Sequence, residues 1–177
     1  MAQKLDEYPN EAHVYVKPQA YIKMLKHVLL YGNDNIGDSV EVMGICYGKK
    51  DGDKLVQYDS IPITHGNNIE VQFSAEDYAA FAGADEKMAE KDYFAIGWYH
   101  SPPGLKAFFS KVDIRNHLGW QTEHNPDAYG IVFDHTYFDL GEADKKFGFQ
   151  AFRLNDYTKG MQSDYHEVTD KVHIEMP

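Results

Sequence analysis

Apolar side chains recur along this chain with two different periods, and the switches between them outline its elements. Val14-Tyr15-Val16 is a short apolar strand, and Pro18 suits the first turn of the helix that follows. Within 18–31, Tyr21, Met24, Leu25, Val28 and Leu29 return at three- and four-residue spacing, which predicts an amphipathic helix with one buried face. Gly32-Asn33-Asp34-Asn35 ends it, and Gly37-Asp38 extends the turn. Residues 41–48 and 54–61 are apolar stretches on either side of an Asp-Gly turn, the signature of a β-hairpin. Residues 64–73 read as a loop and then an edge strand.

Ser74, with Asp77 three residues on, is a good N-cap for a second helix near 75–91, which Gly83 weakens locally. A largely apolar strand, Tyr93–Tyr99, leads into His100, and the two prolines and glycine of 101–110 make a loop. A helix over 113–121, a buried strand over 128–134 and an alternating strand over 147–154 complete the pattern. Residues 1–12 are polar and read as a flexible tail, and the last twenty or so carry weak signals. They read as an extension that is mobile or docks in trans. The order of elements implies an α/β fold, a mixed central sheet with helices packed on it.

Composition narrows the picture. The length of 177 residues, 43% of them hydrophobic and 14% aromatic, is enough for one domain with one core. No apolar run approaches the roughly 20 residues of a bilayer-spanning helix. The N-terminus lacks the apolar region of a signal peptide, so the expectation is a cytoplasmic protein with no membrane partner. The single cysteine, Cys46, forms no internal disulfide and reads as a small buried hydrophobe on a strand. A net charge of −11 argues against nucleic acid, whose phosphates need a positive surface. It suits a basic partner or a cationic peptide, or it simply keeps the protein soluble.

Of nine histidines, spacing singles out His100. A strand delivers it at its end, and a rigid loop then places Ser110 and Asp113 at the start of a helix. Imidazole nitrogen and carboxylate oxygen together suit Zn²⁺. The Ser110 hydroxyl, facing the same spot, would donate to a developing oxyanion. The plainer reading is that Ser110-x-x-Asp113 only caps the helix. His100 likewise could be a hydrogen-bonded core residue, and Trp98 and Tyr99 read as packing.

Glu41-Val42-Met43-Gly44, Gly97-Trp98-Tyr99-His100-Ser101, the Pro-Gly that follows, and Ser110-x-x-Asp113 resemble the JAMM motif of MPN-domain metalloproteases. That motif reads Glu, then His-Ser/Thr-His-Pro, then seven residues, then Ser-x-x-Asp. Here Pro103 to Phe109 supply the seven. Val14-Tyr15-Val16, Leu25-Lys26-His27 and Ala151-Phe152-Arg153-Leu154 are similar to the proteasome-lid deubiquitinase branch of the family. The resemblance implies an MPN domain over 13–155, of cytidine-deaminase-like fold, with 156–177 as a C-terminal extension. It implies Glu41 as general acid/base, His100 and Asp113 as zinc ligands, and Ser110 as the oxyanion donor. Its substrate would be an isopeptide bond to ubiquitin or a ubiquitin-like protein, whose extended tail would add as a strand at 64–73. Another MPN-domain protein would be a further partner.

The departure is Pro102, which stands where the family has its second zinc histidine and carries no donor atom. Two functions follow. One is a binding or assembly module with impaired catalysis, which the missing ligand favours. The other is an active zinc metallo-isopeptidase in which a substitute completes the site. His117, four residues after Asp113 on the same helical face, is the candidate substitute, set against a plain surface or capping role.

Overall fold

A computed structural model of the chain describes residues 5–31, 41–66, 75–101, 109–134, 137 and 147–177. Ser74, Pro102, the expected edge strand after residue 66 and most of the loop after Ser101 lie outside them. The elements in chain order are β1 (Val14–Val16), α1 (Pro18–Tyr31), β2 (Glu41–Asp51), β3 (Lys54–Gly66), α2 (Ala75–Ala89), β4 (Phe94–Ser101), α3 (Lys111–His117), β5 (Tyr129–Phe133), β6 (Phe149–Leu154), β7 (Tyr165–Glu167) and β8 (Val172–Ile174).

They form one mixed sheet in the order β7-β6-β5-β4-β2-β3-β1-β8. β2 pairs antiparallel with both β3 and β4, whereas β1 runs parallel to β3 and β8, and β4 parallel to β5. The hairpin turns at Gly52, whose φ of 63° is a left-handed conformation that glycine adopts without strain. The expected mixed α/β architecture is therefore the observed one.

The two faces of the sheet bury different sets. Along β2, Val42 and Cys46 face the cluster under α1, while Met43, Ile45 and Tyr47 face α2 and α3, as the period of two requires. α1 lays Ala20, Met24, His27 and Val28 onto the first face. Full burial of Met24 and of Val28 contributes roughly 1.5–3 kcal/mol each. On that face the His27 ring meets the Tyr99 hydroxyl at 2.8 Å. Gly44 makes room for Tyr99, since a Cβ there would sit 2.3 Å from its ring.

Four details differ from the sequence reading. Residues 64–66 belong to β3 and pair with β2, because the long hairpin continues past Pro62 through a bulge. α3 begins at Lys111 and ends at His117, and residues 118–121 form a tight turn through Gly119. The C-terminal residues dock in cis: β7 pairs with β6, and β8 pairs with β1. Finally, residues 8–12 are pinned rather than frayed. Tyr8 stacks on His166 at 3.7 Å, and Ala12 is buried and donates its N–H to Asp127. Three-residue strands are too short to show alternation, and their partners are distant in sequence.

Candidate functional site

The β4–α3–β5 unit builds the site. Alternation along β4 turns Trp98 and His100 to one face, and Trp98 packs there with Ile114 of α3. α3 starts with a full capping box: the Ser110 hydroxyl accepts from Asp113 N–H at 3.1 Å, and the Asp113 carboxylate Oδ2 accepts from Ser110 N–H at 2.9 Å. Such a cap stabilises a helix by about 1 kcal/mol. It also fixes the direction of the carboxylate. The other oxygen, Oδ1, then stands 3.1 Å from His100 Nε2.

His100 and Asp113 are both buried. Burial alone would raise the Asp113 pKa, but the His100 charge and hydrogen bond and the two Ser110 hydrogen bonds together outweigh it and hold the pKa below its ordinary value. The carboxylate is therefore the ionised form that a cation needs. The Trp98 indole covers the His100 ring, with centroids 4.7 Å apart and planes 7° from parallel. Trp120 stacks on the other side of the chain of rings, 5.4 Å from Trp98.

The structure brings together three of the sequence-predicted residues, His100, Ser110 and Asp113. It places the Glu41 backbone at the start of β2, where Val42 and Met43 pair with Ser101 and His100. His117 goes elsewhere. It is fully buried, its Nδ1 accepts from Trp98 Nε1–H at 2.9 Å, and its Nε2–H meets Gln121 Oε1 at 2.8 Å. Burial pushes its pKa down to about 4, so the ring is neutral. In this arrangement both ring nitrogens of His117 are committed to core hydrogen bonds. Helical spacing placed it on the Asp113 side but could not show that Trp98 and Gln121 would claim it.

Two features escaped the sequence reading. Gln121 ties His117 to β6, accepting from Leu154 N–H at 2.8 Å and donating to Leu154 O at 3.1 Å. A cleft of about 520 Å³ opens between α2 and α3, with Tyr78, Phe81 and Trp120 as apolar wall and Asp85 and Arg115 at its rim. The only signal for it was aromatic residues on a weakly amphipathic helix.

The donor pair fits a zinc ion in part. Two ligands about 2.0–2.2 Å from one tetrahedral zinc stand roughly 3.3–3.6 Å apart, and His100 Nε2 and Asp113 Oδ1, in direct contact at 3.1 Å, would have to part by a few tenths of an ångström to share one. Among the described residues, no group of three or more His, Cys, Asp or Glu side chains assembles around them. No helix among those residues is long and apolar enough to cross a membrane.

Comparison with known proteins identifies the family. The profile of the family described as JAB1/Mov34/MPN/PAD-1 ubiquitin protease matches residues 9–126. The chain is 28% identical over 126 residues to COP9 signalosome complex subunit 5a of Arabidopsis thaliana, covering 70% of this chain and 33% of that protein. It is 29% identical over 146 residues to ubiquitin carboxyl-terminal hydrolase RPN11 of Saccharomyces cerevisiae, covering 81% and 44%. To the Lys-63-specific deubiquitinase BRCC36 of Xenopus tropicalis it is 24% identical over 167 residues, covering 91% and 60%. The chain thus spans between a third and three-fifths of the length of these relatives. A match over residues 9–126, together with a mixed sheet that sets His100 against a capped Asp113, establishes that the chain belongs to the JAB1/Mov34/MPN/PAD-1 family.

Proposed function

We propose that this chain is an MPN-domain binding or assembly module built on a zinc-isopeptidase centre whose catalysis is impaired. The observation that carries the reading is the pairing of two donors, His100 and Asp113, with a proline at position 102, where the motif has its second zinc histidine. An open catalytic zinc site takes three protein ligands and a water. Losing an outer-shell partner already costs about 10–100-fold in affinity, and losing a ligand costs more.

His100 and Asp113 would hold the metal. When bound, zinc would supply an acidified water and a polarised carbonyl. Glu41, at the start of β2, would take and return the proton. Ser110 would steady the oxyanion: its cap uses a hydroxyl lone pair, which leaves the O–H hydrogen for donation. These residues would position ubiquitin or a ubiquitin-like tail even where turnover is poor. The cleft between α2 and α3, apolar with charged rims, is suited to a folded partner surface. A net charge of −11 favours a basic one. A second MPN-domain protein is the assembly partner this reading expects.

A second reading, an active zinc isopeptidase with solvent filling the missing position, draws support from an imidazole and a carboxylate already turned toward each other at one point. One experiment separates the two. Zinc stoichiometry and cleavage of a ubiquitin isopeptide substrate are measured for the unmodified chain and for Pro102→His. The module reading expects little zinc and little cleavage from the first, and gain of zinc by the second. Tight zinc and robust metal-dependent cleavage by the unmodified chain would sink it.

A further inference from the structure

At the edge of the sheet farthest from β7, the last strand is held by an unusual pair. His13, one residue before β1, and His173, in the middle of β8, face each other with Nδ1 and Nε2 2.8 Å apart. Their ring centres are 5.2 Å apart and their planes differ by 5°. A centre-to-centre distance so close to the nitrogen–nitrogen gap plus the two ring radii places the rings edge to edge in nearly one plane. The nitrogens therefore point head-on. That is the geometry of an N–H···N hydrogen bond, in which one nitrogen carries the hydrogen and the other must not.

We propose that the His13–His173 pair is an acid-operated latch that holds β8 on β1 and releases it when both rings are protonated. The first proton leaves the bond in place, because an imidazolium donates to a neutral imidazole more strongly than a neutral ring does. The second puts N–H against N–H and two positive charges in contact. The rest of the strand's hold is Val172 in the core with Ile174 packed against it, and the Glu175 N–H bonded to Val16 O at 2.9 Å. β8 has three residues, and its pairing with β1 is parallel. Beside the latch stand the Lys17–Glu175 ion pair at 2.8 Å and the Lys171–Asp6 pair at 3.2 Å.

The surrounding groups set where the latch opens. Tyr15 of β1 stacks on His173 at 4.9 Å, and Lys54 of β3 lies over the Tyr15 ring. Asp170, in the turn before β8, pulls the His173 pKa up, and the Asp6 carboxylate lies within electrostatic reach of His13. Burial and then the His13 charge prevail at His173 and keep its pKa below the ordinary 6.5. For a base so depressed, the folded state is favoured above 6.5 and that contribution is lost as pH falls toward the lowered value. The Asp6 pKa is held below its ordinary value by its backbone bond to Tyr8 and by Lys171, so this carboxylate stays charged through that window. Opening removes Val172 from the core and uncovers the backbone edge of β1, which a strand can pair with.

The test is amide hydrogen exchange over residues 172–175 at about pH 7.5 and about pH 5, corrected for intrinsic rates, with β4 and β5 as internal reference. In the unmodified chain, protection at β8 should fall by roughly tenfold or more while β4 and β5 hold. The His13→Gln, His173→Gln double variant should lose that pH dependence. Unchanged protection in the unmodified chain, or an equal fall in the double variant, overturns the proposal. Should the double variant fail to fold, imidazole NMR titration of the unmodified chain decides. Two coupled steps, with His173 last and below 6.5, support the latch, and two independent titrations at the ordinary value refute it.

Discussion

The indole of Trp98 is a fixed plate under His100: it lies 7° from parallel with that ring while its N–H is spent on His117. A side chain two residues upstream on the same strand thus holds the imidazole plane, and a buried neutral histidine on α3 holds the plate. His117 contributes to the site through packing and a hydrogen bond.

The first prediction follows from that arrangement. His117→Leu removes the acceptor of the Trp98 N–H and should lower stability by about 1–3 kcal/mol, read as a shift of the urea midpoint. In a Pro102→His background, the more conservative His117→Asn should leave zinc affinity unchanged. A large loss of zinc there would restore His117 to the ligand set.

Ser110→Ala tests the capping box. It removes the side-chain acceptor of the Asp113 N–H and should cost about 1 kcal/mol in equilibrium unfolding. No change at all would mean that the cap contributes nothing to α3.

Gly44→Ala places a methyl 2.3 Å from the Tyr99 ring and should displace that ring from His27, at a cost of about 1–3 kcal/mol. A lowered midpoint together with shifted Tyr99 resonances is the outcome to look for. An unchanged midpoint would mean that the sheet relaxes around the methyl.

Glu11 supplies a pH dependence in a lower window than the histidine latch. Burial pushes its pKa up, but the His166 hydrogen bond and the charges of Arg153, His166 and Lys171 push harder and hold it below 4.5. Its stabilising contribution is therefore complete above about 4.5 and is lost as pH falls through the depressed value. Arg153 is fully buried and lies 3.5 Å from this carboxylate, so Glu11→Gln should cost about 3 kcal/mol near neutral pH and flatten the acid limb of the stability profile. A variant with an unaltered acid limb would assign that limb to other carboxylates.

Periodicity made much of this fold legible. The 18–31 helix, the Asp-Gly hairpin and the strand leading into His100 each repeat one period long enough to be read. β7 and β8 could not be read: each has three residues, and the side chains that meet them, Glu11 at His166 and His13 at His173, lie 155 and 160 residues away. At the site, the His100–Asp113 pair was visible as motif spacing. Spacing along α3 also nominated His117, and it gave no sign that Trp98, nineteen residues away on a strand, would bond its Nδ1. The cleft left only the faint signature of aromatic residues on α2, as its other wall comes from a separate helix later in the chain.

The ring stack has an optical consequence. The chain has two tryptophans, Trp98 and Trp120, and they lie against each other between the His100 imidazole and the wall of the α2–α3 cleft. All indole emission therefore originates at one place. A quenching ion at His100 and a partner entering the cleft would alter the same fluorescence from opposite sides, so the unlabelled protein carries its own reporter for both events.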